Sequence, residues 1–457
     1  MSESESLPVL QELRRAAREI FDEVLEAVDA RRAMLDAVKF DGGSLRVCGT
    51  RFDPQVRSRK IFSVALGKAA APMAAALDEQ LDEALSAGVL SSPRSDFRLR
   101  ERWRVFEGGH PLPNESSMRA ARAAFDLLRE ADDASALVIF LVSGGGSAML
   151  ELPSDSRLTL EDLREANRVL ISCGAQIDEV NAVRRALSAV KGGKLAACAP
   201  RATQVTLIVS DVGAGRAYDV ASGPTLPAPA DSFSVQEIIR RYGLKSTLPP
   251  SIIRALEESG TTHARGDEHE ASREFHVLLD NARACEAAAT AARARGFAVE
   301  IATDLVEQRV EEGATAMISR LAALYASASA SGHVACLISG GEFSCPVRGG
   351  GMGGRNSETA LRCAFEFEKV MRGLNAERLP AHAVALSAGT DGIDGNSPSA
   401  GACSDETTLA RARALGLDAS KFLEESDAYS LFDRLGDAVM TGATGTNVRD
   451  VRILLAG

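Results

Sequence analysis

The chain has no surplus of positive charge, no long apolar run and no clustered set of metal-binding side chains, and each absence excludes a class of function. Its 52 lysines and arginines are outnumbered by 63 aspartates and glutamates, giving a formal net charge of -11. A field of that sign opposes a polyanionic partner, so nucleic acid is not expected. The longest strongly apolar segment, Ala136 to Val142, is far below the ~20 residues that a membrane helix needs, and no membrane partner is expected. The segment Met1 to Gln11 carries Glu3 and Glu5 and lacks the basic flank and apolar stretch of a secretory signal, so the expected location is cytoplasmic. The eight cysteines form no CxxC pair and read as reduced, mostly buried thiols. The six histidines form no HExxH and no tight cluster, which argues against zinc.

Familiar nucleotide signatures are missing as well. No GxGxxG directly follows any of the strands read below, and GxxxxGK[ST] fails because Gly67-Lys68 is followed by Ala69. The kinase set with HRD and DFG is absent. Ser188-Ala189-Val190-Lys191 fits SxxK but has no KTG to support it.

What is present is an alternation of apolar runs and helical segments. At 457 residues, 45% hydrophobic and 25% charged, the chain is long enough for two cores. Leu7 to Val38 has apolar residues at helical spacing, predicting one long helix or two joined ones. Lys60 to Leu66 reads as a strand ended by Gly67, and the alanine-rich Lys68 to Leu85 as helix. Further strands are read at Ala136 to Val142, Gln204 to Val209, Phe275 to Leu279, Ala298 to Ala302, His333 to Ile338 and Ala381 to Leu386. Helices are read up to Arg295 and near Glu311 to Tyr325. Strands apolar on both faces and separated by helices predict an α/β protein: two dissimilar domains with mainly parallel sheets flanked by helices and a cleft between them. The N-terminal lobe is placed at 1–242 and the second at 275–457, with room for a terminal helix to cross back. Between them, 243–274 reads as a linker or surface excursion with one short helix, Ser251 to Glu258.

Four strands run into Ser143-Gly144-Gly145-Gly146-Ser147, Ser210-Asp211-Val212-Gly213, Ser339-Gly340-Gly341-Glu342 and Ser387-Ala388-Gly389-Thr390-Asp391-Gly392. Open α/β sheets bind ligands beyond the carboxyl ends of their strands, and glycine there lets backbone N–H groups turn toward an anion. Asp211, Glu342, Asp391 and Asp394 are candidates for Mg²⁺, which takes one or two carboxylates and fills its octahedron with water and phosphate oxygen; the alternative for each is a helix cap or turn. Among cations, Lys68 follows the first strand, Lys191 and Lys194 flank Gly192-Gly193, and Arg355 follows Gly349-Gly350-Gly351-Met352-Gly353-Gly354. Each could neutralise charge on a transferring phosphoryl group or be a surface charge. The loop before Arg355 reads as mobile.

These residues carry a resemblance. Ala65 to Ala70, Gly108-Gly109-His110-Pro111-Leu112-Pro113, Ser143 to Ala148, Lys191 to Ala196, Ala221-Ser222-Gly223-Pro224-Thr225, Ser339 to Glu342, Gly354-Arg355-Asn356, Ser387 to Gly395 and Thr441-Gly442 with Thr446-Asn447-Val448 occur in one order along the chain. In them the chain resembles the glycerate 2-kinases with a C-terminal leucine-rich (MOFRL-type) domain, sometimes named hydroxypyruvate reductases. The resemblance implies transfer of the γ-phosphoryl of ATP, with Mg²⁺, to the 2-hydroxyl of D-glycerate. It implies that Lys68 and Arg355 are catalytic, and that Gly67, Ser143, Gly144, Gly145, Gly146, Ser147, Lys191, Lys194, Gly340, Gly341, Asn356 and Thr390 bind substrate or nucleotide. The expected partner is a small molecule, and a homo-oligomer stays open. The chain departs from the family pattern at Ala186, at Ala214-Gly215-Arg216 after Asp211, and at Arg449. Two alternatives stand beside the kinase: an NAD(P)H-dependent hydroxypyruvate reductase and a non-enzymatic small-molecule-binding protein.

Overall fold

The structure is a computed structural model that describes residues 3–41, 44–52, 60–227, 233–259, 272–329, 332–371, 379 and 382–457. Two compact units emerge, one of Ala30–Leu279 and one that joins Met1–Asp29 to Asp280–Gly457. The first and last parts of the sequence therefore share a unit. No helix among the described residues is long and apolar enough to cross a membrane.

The Ala30–Leu279 unit is built on a six-stranded, all-parallel sheet of β1 (Ile61–Leu66), β2 (Leu85–Ser92), β3 (Trp103–Glu107), β4 (Leu137–Ser143), β5 (Thr203–Val209) and β6 (Arg273–Leu279). The spatial order is β3-β2-β1-β4-β5-β6. Every residue of β1 and β4 is buried, because helices cover both faces of a parallel sheet. Phe62, Val64, Val138 and Phe140 pack with Ala120, Ala124, Leu127 and Leu128 of the helix Glu115–Asp133. Each large apolar side chain so buried contributes about 1.5–3 kcal/mol. Asn114 starts that helix by accepting from the Ser117 amide at 2.8 Å, a cap whose removal costs ~1 kcal/mol.

The division of the chain differs from the sequence reading in two places. The strand Arg273–Leu279, assigned there to the second lobe from Phe275 on, pairs in parallel with β5 and closes the first sheet. Residues 244–256 are no excursion: Leu244, Leu248, Ile252 and Leu256 are buried in a satellite core with the helices Leu160–Ser172 and Ile177–Leu187. The polar stretch that suggested a linker, 260–271, lies outside the described residues.

The other unit has a sheet of β7 (Ala298–Ala302), β8 (Ala335–Gly341), β9 (Ala383–Gly389), β10 (Gly401–Asp405), β11 (Ala438–Val439) and β12 (Asp450–Ala456), ordered β7-β8-β12-β9-β10-β11. It is α/β as expected, yet only β7 and β8 pair in parallel. The C-terminal strand β12 runs antiparallel between β8 and β9, and β10 returns against β9. An antiparallel strand buried on both faces is as uniformly apolar as a parallel one, so composition could not reveal its direction. The N-terminal helix Glu3–Ala27 packs on the helix Asn281–Ala294, and Arg14 ties it to Asp405 and Asp437.

Candidate active site

In the first sheet the strand order reverses between β1 and β4, so successive crossovers leave on opposite faces and a crevice opens beyond the carboxyl ends of these two strands. Gly67-Lys68 and Ser143 to Ser147 fall there. The Lys68 amide donates to the Gly144 carbonyl at 2.8 Å and the Ala69 amide to Ser143 Oγ at 3.0 Å. Gly67 has φ +115°, and a Cβ on it would lie 2.3 Å from Ser143 Oγ, so only glycine fits. A Cβ on Gly145 would lie 3.2 Å from Lys68 Cγ and 3.1 Å from His110 Cδ2; the lysine stem and the imidazole both border the loop. Asp211 reaches the same loop, since a Cβ on Gly144 would fall 1.9 Å from its Oδ2. The structure thus brings Gly67, Lys68, Ser143, Gly144, Gly145, Gly146, Ser147 and Asp211 together. It adds His110, which sequence reasoning met only inside a motif and gave no role.

Lys191 and Lys194 are occupied elsewhere. Lys191 is fully buried in an ion pair with Glu151, whose other oxygen accepts from Ser188 Oγ at 2.5 Å. Burial pushes its pKa down, and the Glu151 carboxylate resists that shift. Lys194 Nζ donates to the carbonyls of Arg185 at 2.7 Å and Ser188 at 2.6 Å. Both amines hold their own loop. Arg216 likewise pairs with Asp178 and with Asp219, the latter at 2.8 Å, which neutralises the extra cation beside Asp211.

In the other unit the Arg355 guanidinium donates Nε to Asp450 Oδ2 at 2.5 Å, and Nη2 to Asp450 Oδ1 at 3.0 Å and Glu342 Oε1 at 2.9 Å. Burial acts to lower the Arg355 pKa, but Asp450 and then Glu342 outweigh it and the value is raised. Asp391 joins them: a Cβ on Gly389 would lie 3.3 Å from Asp391 Oδ1 and 3.4 Å from Asp450 Oδ1. Asp450 is not among the residues singled out from the sequence. Its pairing with a residue 95 positions away leaves no local signal.

Beneath this group lies a supporting frame. Arg452, fully buried, donates to the carbonyls of Gly340 at 2.6 Å and Gly341 at 3.0 Å and stacks 3.6 Å from the Phe343 ring centroid. Burial lowers its pKa to about 10. Asn281 accepts from the Gly341 amide at 2.7 Å and donates to the carbonyls of Val448 at 2.8 Å and Asp450 at 2.9 Å. Thr390, buried, accepts from the Val448 amide at 2.9 Å and donates to the Arg449 carbonyl at 2.7 Å. Asn356 accepts from Ser387 Oγ at 2.7 Å. Thr390 and Asn356 are thereby committed to internal bonds.

Asp394 is also committed. It accepts from the Asn356 amide at 2.9 Å, the Ser357 amide at 2.8 Å and Ser357 Oγ at 2.6 Å, closing the start of the helix Arg355–Met371. Burial raises its pKa against those hydrogen bonds. Of the four metal candidates it is the one that became a helix cap.

The loop before Arg355 is not the mobile segment expected of so many glycines. Gly351 donates to the Glu425 carbonyl at 2.9 Å, Met352 to Asp427 Oδ1 at 2.7 Å and Gly353 to Asn396 Oδ1 at 2.8 Å. A Cβ on Gly351 would lie 2.3 Å from Asp427 Cβ, so glycine serves close approach here. Arg355 borders a cavity of about 430 Å³ lined also by Phe343, Val347, Gly353, Asn396 and Ala428.

No group of three or more His, Cys, Asp or Glu side chains able to hold a metal occurs among the described residues. An all-protein cage is therefore not present there. Mg²⁺ held by one or two carboxylates and completed by phosphate and water fits what the residues offer.

Residues 16–257 match the family described as a domain of unknown function, DUF4147, and residues 335–450 match the MOFRL family. The chain is 32% identical to a curated protein named glycerate 2-kinase from Pyrococcus horikoshii, over 98% of each chain. It is 37% identical to one named putative hydroxypyruvate reductase from Agrobacterium vitis, over 86% of this chain and 98% of that one. Among solved structures, a glycerate kinase from Thermotoga maritima superposes with a TM-score of 0.79 at 30% identity, covering 98% of this chain and 100% of the other. The chain belongs to the DUF4147–MOFRL family that includes these glycerate kinases.

Proposed function

We propose that this protein is a phosphotransferase that moves the γ-phosphoryl group of ATP to the 2-hydroxyl of D-glycerate. The P–O bond between the γ-phosphorus and the β,γ-bridging oxygen breaks, a bond from phosphorus to O2 of glycerate forms, and the hydroxyl proton is released. The observation that carries this reading is the seat of Lys68, its amide bonded to Gly144 and its stem against Gly145 at the reversal point of a parallel sheet. An ammonium so placed beside turned glycine amides suits phosphate oxygens whose charge grows during transfer.

Lys68 is the proposed phosphate-binding cation of the Ala30–Leu279 unit, with Gly144, Gly145 and Gly146 supplying backbone donors. Arg355 is the proposed planar clamp of the other unit, for a carboxylate or a phosphate. Bound Mg²⁺ supplies neutralisation of phosphate charge; Asp211, or Glu342 with Asp391, has the oxygen ligands to hold it. Lys191, Lys194, Asn356, Thr390 and Asp394 act by fixing the loops that carry these groups.

The reductase reading draws on the names of two relatives and on the nucleotide-binding strand order. Against it, the first turn reads Gly67-Lys68-Ala69-Ala70-Ala71-Pro72, with a lysine and a proline where a pyrophosphate requires GxGxxG. The deciding experiment supplies ATP, Mg²⁺ and D-glycerate and follows ADP, with NADH and hydroxypyruvate in a parallel reaction. The phosphorus resonance of the product should be split by a single carbon-bound proton, as in the 2-phosphate, and not by two, as in the 3-phosphate. Oxidation of NADH without glycerate-dependent ADP would reverse the conclusion.

A further inference from the structure

In the Ala30–Leu279 unit four side chains form one hydrogen-bonded row that ends at the glycine loop. Asp219 lies at its inner end, only 5% exposed, and accepts from Arg216 at 2.8 Å and Arg185 at 3.3 Å. Asn181 follows, with Nδ2 3.5 Å from Asp219 Oδ1 and Oδ1 accepting from Ser222 Oγ at 3.1 Å. Ser222 Oγ is in turn 3.0 Å from Ser147 Oγ. Asp219, Asn181 and Ser222 are buried, and Ser147 alone is partly open.

The direction of this row follows from what each group can do. A carboxylate holding two guanidinium groups only accepts, so the amide of Asn181 must point its NH₂ at Asp219 and its oxygen at Ser222. Asn181 Oδ1 then takes the one hydroxyl proton of Ser222. Ser222 has lone pairs left for Ser147, so the Ser147 proton points inward. Ser147 is left presenting only lone pairs to the crevice: it can receive a hydrogen bond from a ligand and cannot give one. A phosphate or carboxylate oxygen gains nothing from such a group, whereas an alcohol does.

The backbone underscores the arrangement. Ala221 and Ser222 both have positive φ, +52° and +60°, though neither is glycine. Such conformations cost about 1–3 kcal/mol each and persist where the surroundings impose them. Here they bring the Ser222 hydroxyl between Asn181 and Ser147.

Resting on the glycerate kinase reading, we propose that Ser147 determines substrate specificity by accepting a hydrogen bond from the 3-hydroxyl of glycerate. The 2-hydroxyl must lose its proton during transfer, and a hydroxyl path that stops at the Asn181 amide oxygen, with the amide NH₂ between it and Asp219, offers that proton no base. The 3-hydroxyl keeps its proton throughout and suits an acceptor with nowhere to pass it. Ser147 is thus an orienting group, and Asn181 and Ser222 are positioning residues that act through it.

D-Lactate, which is glycerate without the 3-hydroxyl, is the probe. Binding of D-glycerate and D-lactate is measured by calorimetry on wild type, Ser147→Ala and Ser222→Ala, beside steady-state phosphorylation of both acids. Wild type should favour glycerate by about tenfold or more, the scale of one well-placed hydrogen bond. In Ser147→Ala glycerate should weaken by about tenfold while lactate changes by less than about twofold, with KM for ATP and the pH profile of kcat unaltered. Ser222→Ala, which leaves the Ser147 hydroxyl able to turn outward, should lose part of the same preference. Equal weakening of both acids in Ser147→Ala, or a raised KM for ATP with the glycerate preference intact, overturns the proposal. If wild type discriminates between the acids as described but transfers no phosphate, the kinase reading fails and this one stands; turnover with an undiminished preference in Ser147→Ala gives the reverse.

Discussion

Arg355 and Asp450 are joined by two hydrogen bonds, Nε to Oδ2 at 2.5 Å and Nη2 to Oδ1 at 3.0 Å, and the Asp450 side chain is 2% exposed. The carboxylate fixes the plane of the guanidinium and leaves Nη1 without a part in either bond. Replacement of Arg355 by lysine keeps the charge and discards the plane. Both Arg355→Lys and Arg355→Ala should lose about 10²-fold in kcat/KM for glycerate phosphorylation, lysine recovering only a minor part. Wild-type kcat/KM for glycerate and ATP in Arg355→Ala would remove Arg355 from the reaction.

Asp450→Asn tests the same pair from the other side. It preserves shape but gives up a charge-assisted bond, so the guanidinium is held less firmly. The expected result is a fall in kcat of about tenfold. Because Asp450 is buried and Arg355 would lose its principal counter-charge, a drop in Tm should accompany it. An unchanged kcat at lowered Tm would assign Asp450 to stability alone.

Lys68→Met retains the stem that lies against Gly145 and removes the ammonium. We expect kcat to fall by about 10²-fold or more, the cost of deleting one preorganised electrostatic contact. Tm should remain near that of wild type, since the Lys68 amide that donates to the Gly144 carbonyl is retained in the variant. Near-normal turnover by the folded variant is the result that would count against a phosphate role.

The Lys191–Glu151 pair makes a prediction about stability. Glu151→Gln leaves a buried ammonium without its counter-charge, at a cost of about 3–5 kcal/mol, whereas Lys191→Met combined with Glu151→Gln should recover most of that loss. The pH dependence has a definite sign. A lysine whose pKa is lowered on folding binds fewer protons folded than unfolded between that lowered value and its ordinary 10.5, so its contribution to stability rises with pH across this window. In denaturant titrations the stability of wild type relative to Lys191→Met should therefore increase as pH rises through this window; a constant difference would contradict the assignment.

Arg216 is held by Asp178 and Asp219, so the residue next to it is the better place to add a carboxylate beside Asp211. Gly215 has φ +77° with no atom within 4 Å of a Cβ, and aspartate tolerates that backbone better than most residues. Gly215→Asp should lower the Mg²⁺ concentration for half-maximal activity, by about two- to fivefold on the scale of one added ligand-attracting charge. Superimposable Mg²⁺ titrations would place the metal away from this loop.

The sequence revealed those parts of the molecule whose cause is local. Ala298 to Ala302 was read to the residue, and the loops after β1 and β4 announced themselves because glycines following an apolar run mark a strand's carboxyl end. Lys68 and Asp211 could be found for the same reason. What escaped had a distant cause: the direction of β12, the entry of Arg273–Leu279 into the first sheet, the pairing of Arg355 with Asp450, and the hold of residues 425–429 on the loop at 349–354. Asp394 and Asp211 both lie in loops that follow strand ends, and only the nearby helix start decides that the first is a cap.

The place of β12 has a consequence for biosynthesis. Until residues 450–456 have been made, β8 and β9 have no strand between them, and the sheet of that unit exists only as a β7–β8 pair and a separate β9–β10–β11 group. Meanwhile the helix Glu3–Ala27, synthesised first, belongs to this same unit and must wait for Asp405 and Asp437 to be made. Ala30–Leu279 has all six strands of its parallel sheet well before then and is free to fold during elongation. A nascent chain halted before Asp450 would thus carry one finished unit and one with its central seam open, its Arg355 still lacking the carboxylate that fixes its plane, and its unzipped strand edges exposed to aggregation and proteolysis.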